Sequence, residues 1–299
     1  QLLRPNLVCI HCVGLHSGDH QALRAAGTRT VWSPLSNLLL YGRTLNVCDL
    51  SAPFALGCDW SPSGSRNLLQ EMKVAWLVAR AQGKVLPYEA LAQAVTINAA
   101  KVTMWDSQTG TLTTGKLADL LVLESRHADP FENLVRATER DIRGVVIDGV
   151  ARYGDIDLMQ QAEPHFPTLE QLVVGGRKRG LHLTQAGSPL ERLSLAQATE
   201  VLRTALADLT QAPMISLWTT DAEAAFPGAS VELDMQPAED GGVEKMAKFA
   251  TKPIKVNIEL DPLTVVDDPG YFDFFESQIN LPEELKGADG LSSFYRYPA

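Results

Sequence analysis

Three short apolar runs near the amino-terminal end, Leu7–Cys12, Thr28–Ser33 and Phe54–Cys58, constrain this chain more than any other feature. Each is too short for a helix and rich in β-branched or aromatic side chains, as buried strands are. Between the first two, Asp19–Ala26 carries a helical pattern that stops at Gly27, where a C-cap glycine belongs. Strand, helix and strand in that order require a crossover, so the strands are predicted to lie parallel. The stretch from Pro34 to Arg43 holds Pro, Ser, Asn and Gly and reads as a loop.

Two of these runs end in a side chain able to do chemistry: His11 closes the first and Asp59 follows the third. Parallel α/β folds gather reactive groups at the carboxyl ends of their strands. Asp59 also fits a loop or N-cap aspartate, but helix formation starts near Arg66, too far on for Asp59 to cap it. A carboxylate buried at a strand end costs on the order of several kcal/mol unless it is paired or metal-bound, so a partner is expected. His11 taken alone fits a satisfied core histidine, and the pairing with Asp59 is what favours a functional role. His16 and His20 stand four apart but fall where loop becomes helix, and are read as surface histidines.

Cys9 and Cys12 form a Cys-x-x-Cys spacing inside a strand, where residues three apart face opposite sides, so the spacing is read as coincidence. All four cysteines lie before residue 59, unlike the spread of a disulfide scaffold, and the expected location is a reducing cytoplasm. No apolar run approaches the roughly 18 residues of a membrane span, so no membrane partner is expected. Residues 221–299 hold 16 acidic against 6 basic residues and account for the net charge of −10. No basic stripe exists to neutralise phosphates, which excludes nucleic acid as the expected partner.

Further on, Arg66–Gln82 predicts a helix with Leu69, Met72, Trp76 and Ala79 as its buried stripe. Pro87 opens another, with Leu91, Val95, Ala99 and Val102 on one face. Asp148-Gly149 between apolar runs marks a two-residue hairpin within a small β module, residues 109–154. Beyond it, Ser194–Leu209 reads as a capped helix, 221–244 as an exposed linker, Ile254–Leu260 as a strand, and Tyr271–Ile279 as an aromatic segment that docks.

Six segments, in order, resemble the amidohydrolase superfamily, in its cytosine-deaminase and triazine-hydrolase (chlorohydrolase-like) branch. Leu7–Leu15 is similar to that branch's sixth barrel strand with its histidine, and Trp32–Asn37 to the Asn-Pro-x-Ser-Asn element after strand seven. Ala55–Asp59 resembles the Leu-Gly-Thr-Asp that ends strand eight. Val95–Lys101, Gly115–Leu123 and Val146–Gly149 resemble the segments that follow. The resemblance covers residues 7 to about 155.

It implies an α/β fold: a partial TIM-type (β/α) barrel (strands six to eight, residues 1–108) and part of a composite β-sandwich module (109–154); outside the resemblance, residues 155–299 are read as an α+β C-terminal extension of unknown role. It implies a metal-dependent hydrolase of non-peptide carbon–nitrogen bonds that deaminates a small-molecule heterocycle or cyclic amidine through metal-activated water. Asp59 would bind the metal and carry the proton of the attacking water to the leaving nitrogen. His11 would hydrogen-bond the substrate or ligate a metal, and Ser63, Asn37 and Trp60 would line the substrate pocket. Zinc, or iron, is the implied cofactor.

Only about three strand–helix units precede the helix after Asp59, whereas a closed barrel needs eight. The family's His-x-His and strand-five histidine have no counterpart here. The chain is therefore expected to be a C-terminal portion, inactive and not metal-loaded alone, that works with an amino-terminal half or in a homo-oligomer. The alternatives are a non-catalytic fragment or subunit, and a dechlorinating or amide-hydrolysing member of the same fold.

Overall fold

A computed structural model describes residues 3–50, 53–162, 169–185, 187, 191, 194–207 and 260–296. The chain divides into two compact units, Gln1–His182 with Pro262–Ala299, and Leu183–Asp261.

The first unit opens with β1 (Val8–Ile10), α1 (Ser17–Ala25), β2 (Arg29–Trp32), α2 (Pro34–Tyr41) and β3 (Phe54–Leu56). The strands form a parallel sheet in the order β1-β2-β3, with Cys9 opposite Thr30 and Val31 opposite Ala55, as the spacing predicts. Two details differ from expectation. Residues 34–41 are helical: Pro34 occupies the first turn, Leu35 and Leu38 are buried, and Gly42 closes the helix at φ 64°. Loop-forming residue types hid an element whose apolar spacing was sound. His20 is 3 % exposed rather than on the surface, because α1 begins at Ser17 and turns His20 inward with Leu23.

After β3 comes α3 (Leu68–Ala81), capped by Asn67, whose Oδ1 accepts from the Gln70 N–H at 3.0 Å. The next helix divides into α4 (Tyr88–Ala94) and α5 (Ile97–Val102). The break falls in the β-branched run Val95-Thr96-Ile97, where the Thr96 hydroxyl donates back to the Ala92 carbonyl at 2.7 Å. Leu91 and Val102 are buried, but they belong to two helices, not one face.

A second, antiparallel sheet follows: β4 (Leu120–Leu123), then after α6 (Pro130–Arg136) β5 (Ile142–Ile147) and β6 (Val150–Gly154), and after α7 (Ile156–Ala162) β7 (Glu170–Val174) and β8 (Arg177–Leu181). Its order is β4-β5-β6-β8-β7, so it runs on past residue 154. Asp148 and Gly149 turn the β5–β6 hairpin at φ 51° and 76°, the left-handed pair that such a two-residue turn requires. The architecture is mixed α/β with an antiparallel sheet.

Helix α3 is the centre of the core. It is buried on almost every side from Leu69 to Ala79, not along one stripe, and Trp76 is only partly covered. The extra cover comes from residues 262–296. Helix α9 (Tyr271–Ser277) and the turns after it bring Phe275, Leu281, Leu285 and Leu291 into the α3 core. Tyr271 Oη accepts a hydrogen bond from Gln70, and Phe294 meets Trp76 edge-on at 5.9 Å. The aromatic segment thus docks, as its composition predicts.

Among the described residues of the second unit is α8 (Leu195–Ala207), where Ser194 Oγ accepts from the Gln197 N–H at 3.1 Å. The expected 221–244 linker, and all of the expected 254–260 strand except Leu260, lie outside the described residues. No helix of the described residues is long and apolar enough to cross a membrane.

Candidate active site at two strand ends

Both strand-end residues sit in left-handed backbone: His11 at φ 65° and Asp59 at φ 60°. Non-glycine residues adopt this conformation rarely, and such strain gathers at functional sites. At His11 the cause is visible. The Cys12 N–H donates to the Ile10 carbonyl at 2.8 Å, so His11 is the centre of a γ-turn that ends β1 two residues before the apolar run ends. The same turn corrects one premise of the Cys9/Cys12 reading: Cys12 lies outside the strand, so the two do not face opposite sides of it. Because the strand stops at Ile10, Cys12 curls back close to Cys9. Burial pushes the Cys12 thiol up to about 12.

The turn after β3 is equally constrained. A Cβ on Gly64 would lie 2.1 Å from the Cys58 carbonyl oxygen, so only glycine lets the loop fold back behind Asp59.

These turns bring the two side chains together. His11 Nε2 lies 3.5 Å from Asp59 Oδ2, and each side chain is about a third exposed. Two residues of α2 hold them from behind. Ser36 Oγ donates to Asp59 Oδ2 at 2.6 Å, and Asn37 Oδ1 is 2.8 Å from His11 Nδ1. The amide of Asn37 is oriented in turn: its Nδ2 donates to Thr44 Oγ1 at 3.1 Å, and the same oxygen accepts from Trp32 Nε1 at 2.8 Å. With Oδ1 as acceptor, the His11 proton is on Nδ1, which leaves Nε2 turned towards Asp59. A bare ring nitrogen and a carboxylate oxygen at this separation repel unless a proton or cation lies between them.

The other residues singled out from sequence, Trp60 and Ser63, lie in the turn that follows Asp59. Trp60 is 70 % exposed, and the Ser63 N–H closes a short turn on the Trp60 carbonyl at 2.9 Å. Ser36 escaped the sequence reading, although its place beside Asn37 in the Trp32–Asn37 segment was the available signal. A cavity of about 760 Å³ opens elsewhere, lined by Leu69, Met72, Ala99, Leu112, Leu121 and Val145. None of His11, Asn37 or Asp59 touches it, so it is separate from this site.

An imidazole and a carboxylate are suitable zinc donors, but a catalytic zinc usually takes three protein ligands. Among the described residues no group of three or more His, Cys, Asp or Glu side chains could hold a metal ion. The donor set as described is therefore incomplete.

The model of the amidohydrolase family matches residues 1–152. The chain belongs to the amidohydrolase family. Among relatives of this amidohydrolase, a 5-methylthioadenosine/S-adenosylhomocysteine deaminase of Thermoanaerobacter pseudethanolicus is 28% identical over 60% of the chain and 43% of its own length. An S-triazine hydrolase of Gordonia rubripertincta is 26% identical over 56% of the chain and 37% of its own. The amidohydrolase chain thus spans about two-fifths of the length of the curated relatives it matches. An adenosine deaminase structure from Xanthomonas campestris, with bound zinc, aligns with 50% of this chain and 38% of its own at a TM-score of 0.47 and 23% identity.

Proposed function

We propose that this chain carries two reacting strand ends of a metal-dependent amidohydrolase that removes an amino group from a nitrogen heterocycle as ammonia. The observation that carries the reading is the approach of His11 Nε2 and Asp59 Oδ2 to 3.5 Å at the carboxyl ends of β1 and β3, the two outer strands of one three-stranded parallel sheet. In this reading β1, β2 and β3 are strands six to eight of a (β/α) barrel. Relatives named for an adenosine nucleoside and for a triazine support a ring substrate.

Asp59 takes a proton from the attacking water and returns it to the leaving nitrogen, a transfer suited to a partly exposed carboxylate at a strand end. His11, its ring set by Asn37, hydrogen-bonds the substrate as charge develops on it. Trp60 and Ser63, in the turn that follows Asp59, line the approach to the ring. A divalent cation, zinc or iron, requires further donors from polypeptide outside these residues or from a partner chain.

The test is ammonia release from an aminopurine nucleoside and from an aminotriazine by the complete encoded polypeptide that contains residues 1–299. Asp59→Asn is expected to lower turnover about 10²–10⁴-fold. Undiminished turnover in Asp59→Asn sinks the proposal. Chloride release from a chlorotriazine, without ammonia release from either amine, selects the dehalogenating alternative.

A further inference from the structure

The structure contains a fully buried carboxyl group that the proposed chemistry does not use. Glu71 lies on α3, outside both strands, and it reaches the two segments that carry the site. Its Oε1 accepts the Leu35 N–H at 3.2 Å, and its Oε2 is hydrogen-bonded to Ser65 Oγ. Leu35 is the second residue of α2, whose N–H has no partner within its own helix. The next two residues are Ser36, on Asp59, and Asn37, on His11. Ser65 ends the loop that begins at Asp59.

We propose that Glu71 is a positioning residue: one carboxyl group ties the first turn of α2 to the Asp59–Ser65 loop, and so sets Asn37 against His11 and Ser36 against Asp59. This rests on the reading of His11 and Asp59 as the reacting pair.

Two features support it. Both ties are made in a dry interior, where an unmatched N–H or hydroxyl is costly, so neither segment can drift without breaking one of them. Burial, with a smaller push from the charge of Asp59, raises the Glu71 carboxyl to about 8. One carboxyl oxygen accepts from Leu35 and the other from the Ser65 hydroxyl, and as a neutral acid the group places no second negative charge behind Asp59. Glutamine keeps both ties, its oxygen accepting from Leu35 and its amide N–H donating to the Ser65 hydroxyl oxygen; leucine keeps neither.

The test uses the full chain labelled with ¹⁵N-histidine, with the His11 ring signals assigned by their loss in His11→Gln. Glu71→Leu is expected to move those signals away from their native positions, while Glu71→Gln leaves them in place. Met72→Ala, a neighbouring buried change that lowers the Tm without touching either tie, is expected to leave them in place as well. Native signals in folded Glu71→Leu, or an equal shift in Met72→Ala, overturn the proposal. If Glu71→Leu does not fold, Ser65→Ala is read instead: a smaller shift in the same direction supports the inference and no shift overturns it. These signals need neither metal nor substrate, so an inert chain can still pass, and failure of the proposed chemistry is distinguishable from failure of this one. In the complete enzyme the same loss is expected to lower kcat about 10–100-fold, with rescue by Glu71→Gln.

Discussion

Glu71 and Lys73 are two residues apart on α3, roughly 200° around the helix, and both are fully buried. They solve the same problem by opposite means. Glu71 faces the strand ends and is satisfied by two directed hydrogen bonds. Lys73 faces the carboxyl-terminal segment. Its Nζ donates to the Leu69 carbonyl at 2.9 Å and to the Ala137 carbonyl, and lies 5.9 and 5.7 Å from the Phe294 and Tyr295 ring centres. Burial raises Glu71 to about 8 and lowers Lys73 to about 7, the latter against the opposing pull of Glu139 and Asp141. One side of the helix is built for geometry. The other is built for adhesion, since carbonyls and ring faces tolerate small displacements that a two-point carboxyl tie does not.

The largest expected effect tests the adhesive side. Lys73→Ala strips a long stem from beneath two rings and leaves the Ala137 carbonyl without its donor. It is expected to cost about 2–4 kcal/mol in urea unfolding, whereas Lys73→Met, which keeps the stem, costs less.

Next comes the pH dependence of stability, where the two groups act with opposite sign. The folded state holds the Glu71 proton more tightly than the unfolded chain, whose ordinary value is 4.5, so this contribution is complete below 4.5 and is lost as pH rises through about 8. The folded state holds the Lys73 proton less tightly than the unfolded chain at 10.5, so that contribution is complete above 10.5 and is lost as pH falls towards 7. Unfolding free energies measured across pH are expected to lose their falling limb in Glu71→Gln and their rising limb in Lys73→Met. Parallel curves for wild type and either variant break the comparison.

The smallest effect is Arg66→Ala. Arg66 pairs with Asp268 at 2.7 Å and lies 4.9 Å from the Tyr271 ring centre, near the surface, so its loss is expected to cost about 1 kcal/mol by the same measurement.

What was legible in the sequence follows the strength of the local signals. Parallel β1, β2 and β3 were readable because apolar runs separated by helical or turn-rich stretches allow few other arrangements, and the Asp148-Gly149 hairpin because its turn has a composition of its own. Helix α2 was hidden by Pro34, Ser36 and Asn37, which serve a helix start as well as a loop. The γ-turn at His11 left no trace, since nothing in a Cys-Ile-His-Cys string marks a residue forced into left-handed backbone, and the proximity of Cys9 and Cys12 went with it. At the site, His11, Asp59 and Asn37 were singled out and do meet. The tie through Glu71 was not anticipated, though Gln70, Glu71 and Lys73 inside an otherwise apolar helix were its signal: polar residues in a buried run need partners.

The coat that residues 262–296 supply to α3 bears on how this protein is made. Phe275, Leu281, Leu285 and Leu291 seal a helix synthesised about two hundred residues earlier. Until they leave the ribosome, α3 presents a greasy flank to the cell, and a nascent chain that stalls before Tyr271 carries that flank uncovered. Closure of the core therefore waits until synthesis has passed Leu291, with chaperone demand concentrated in the interval before it.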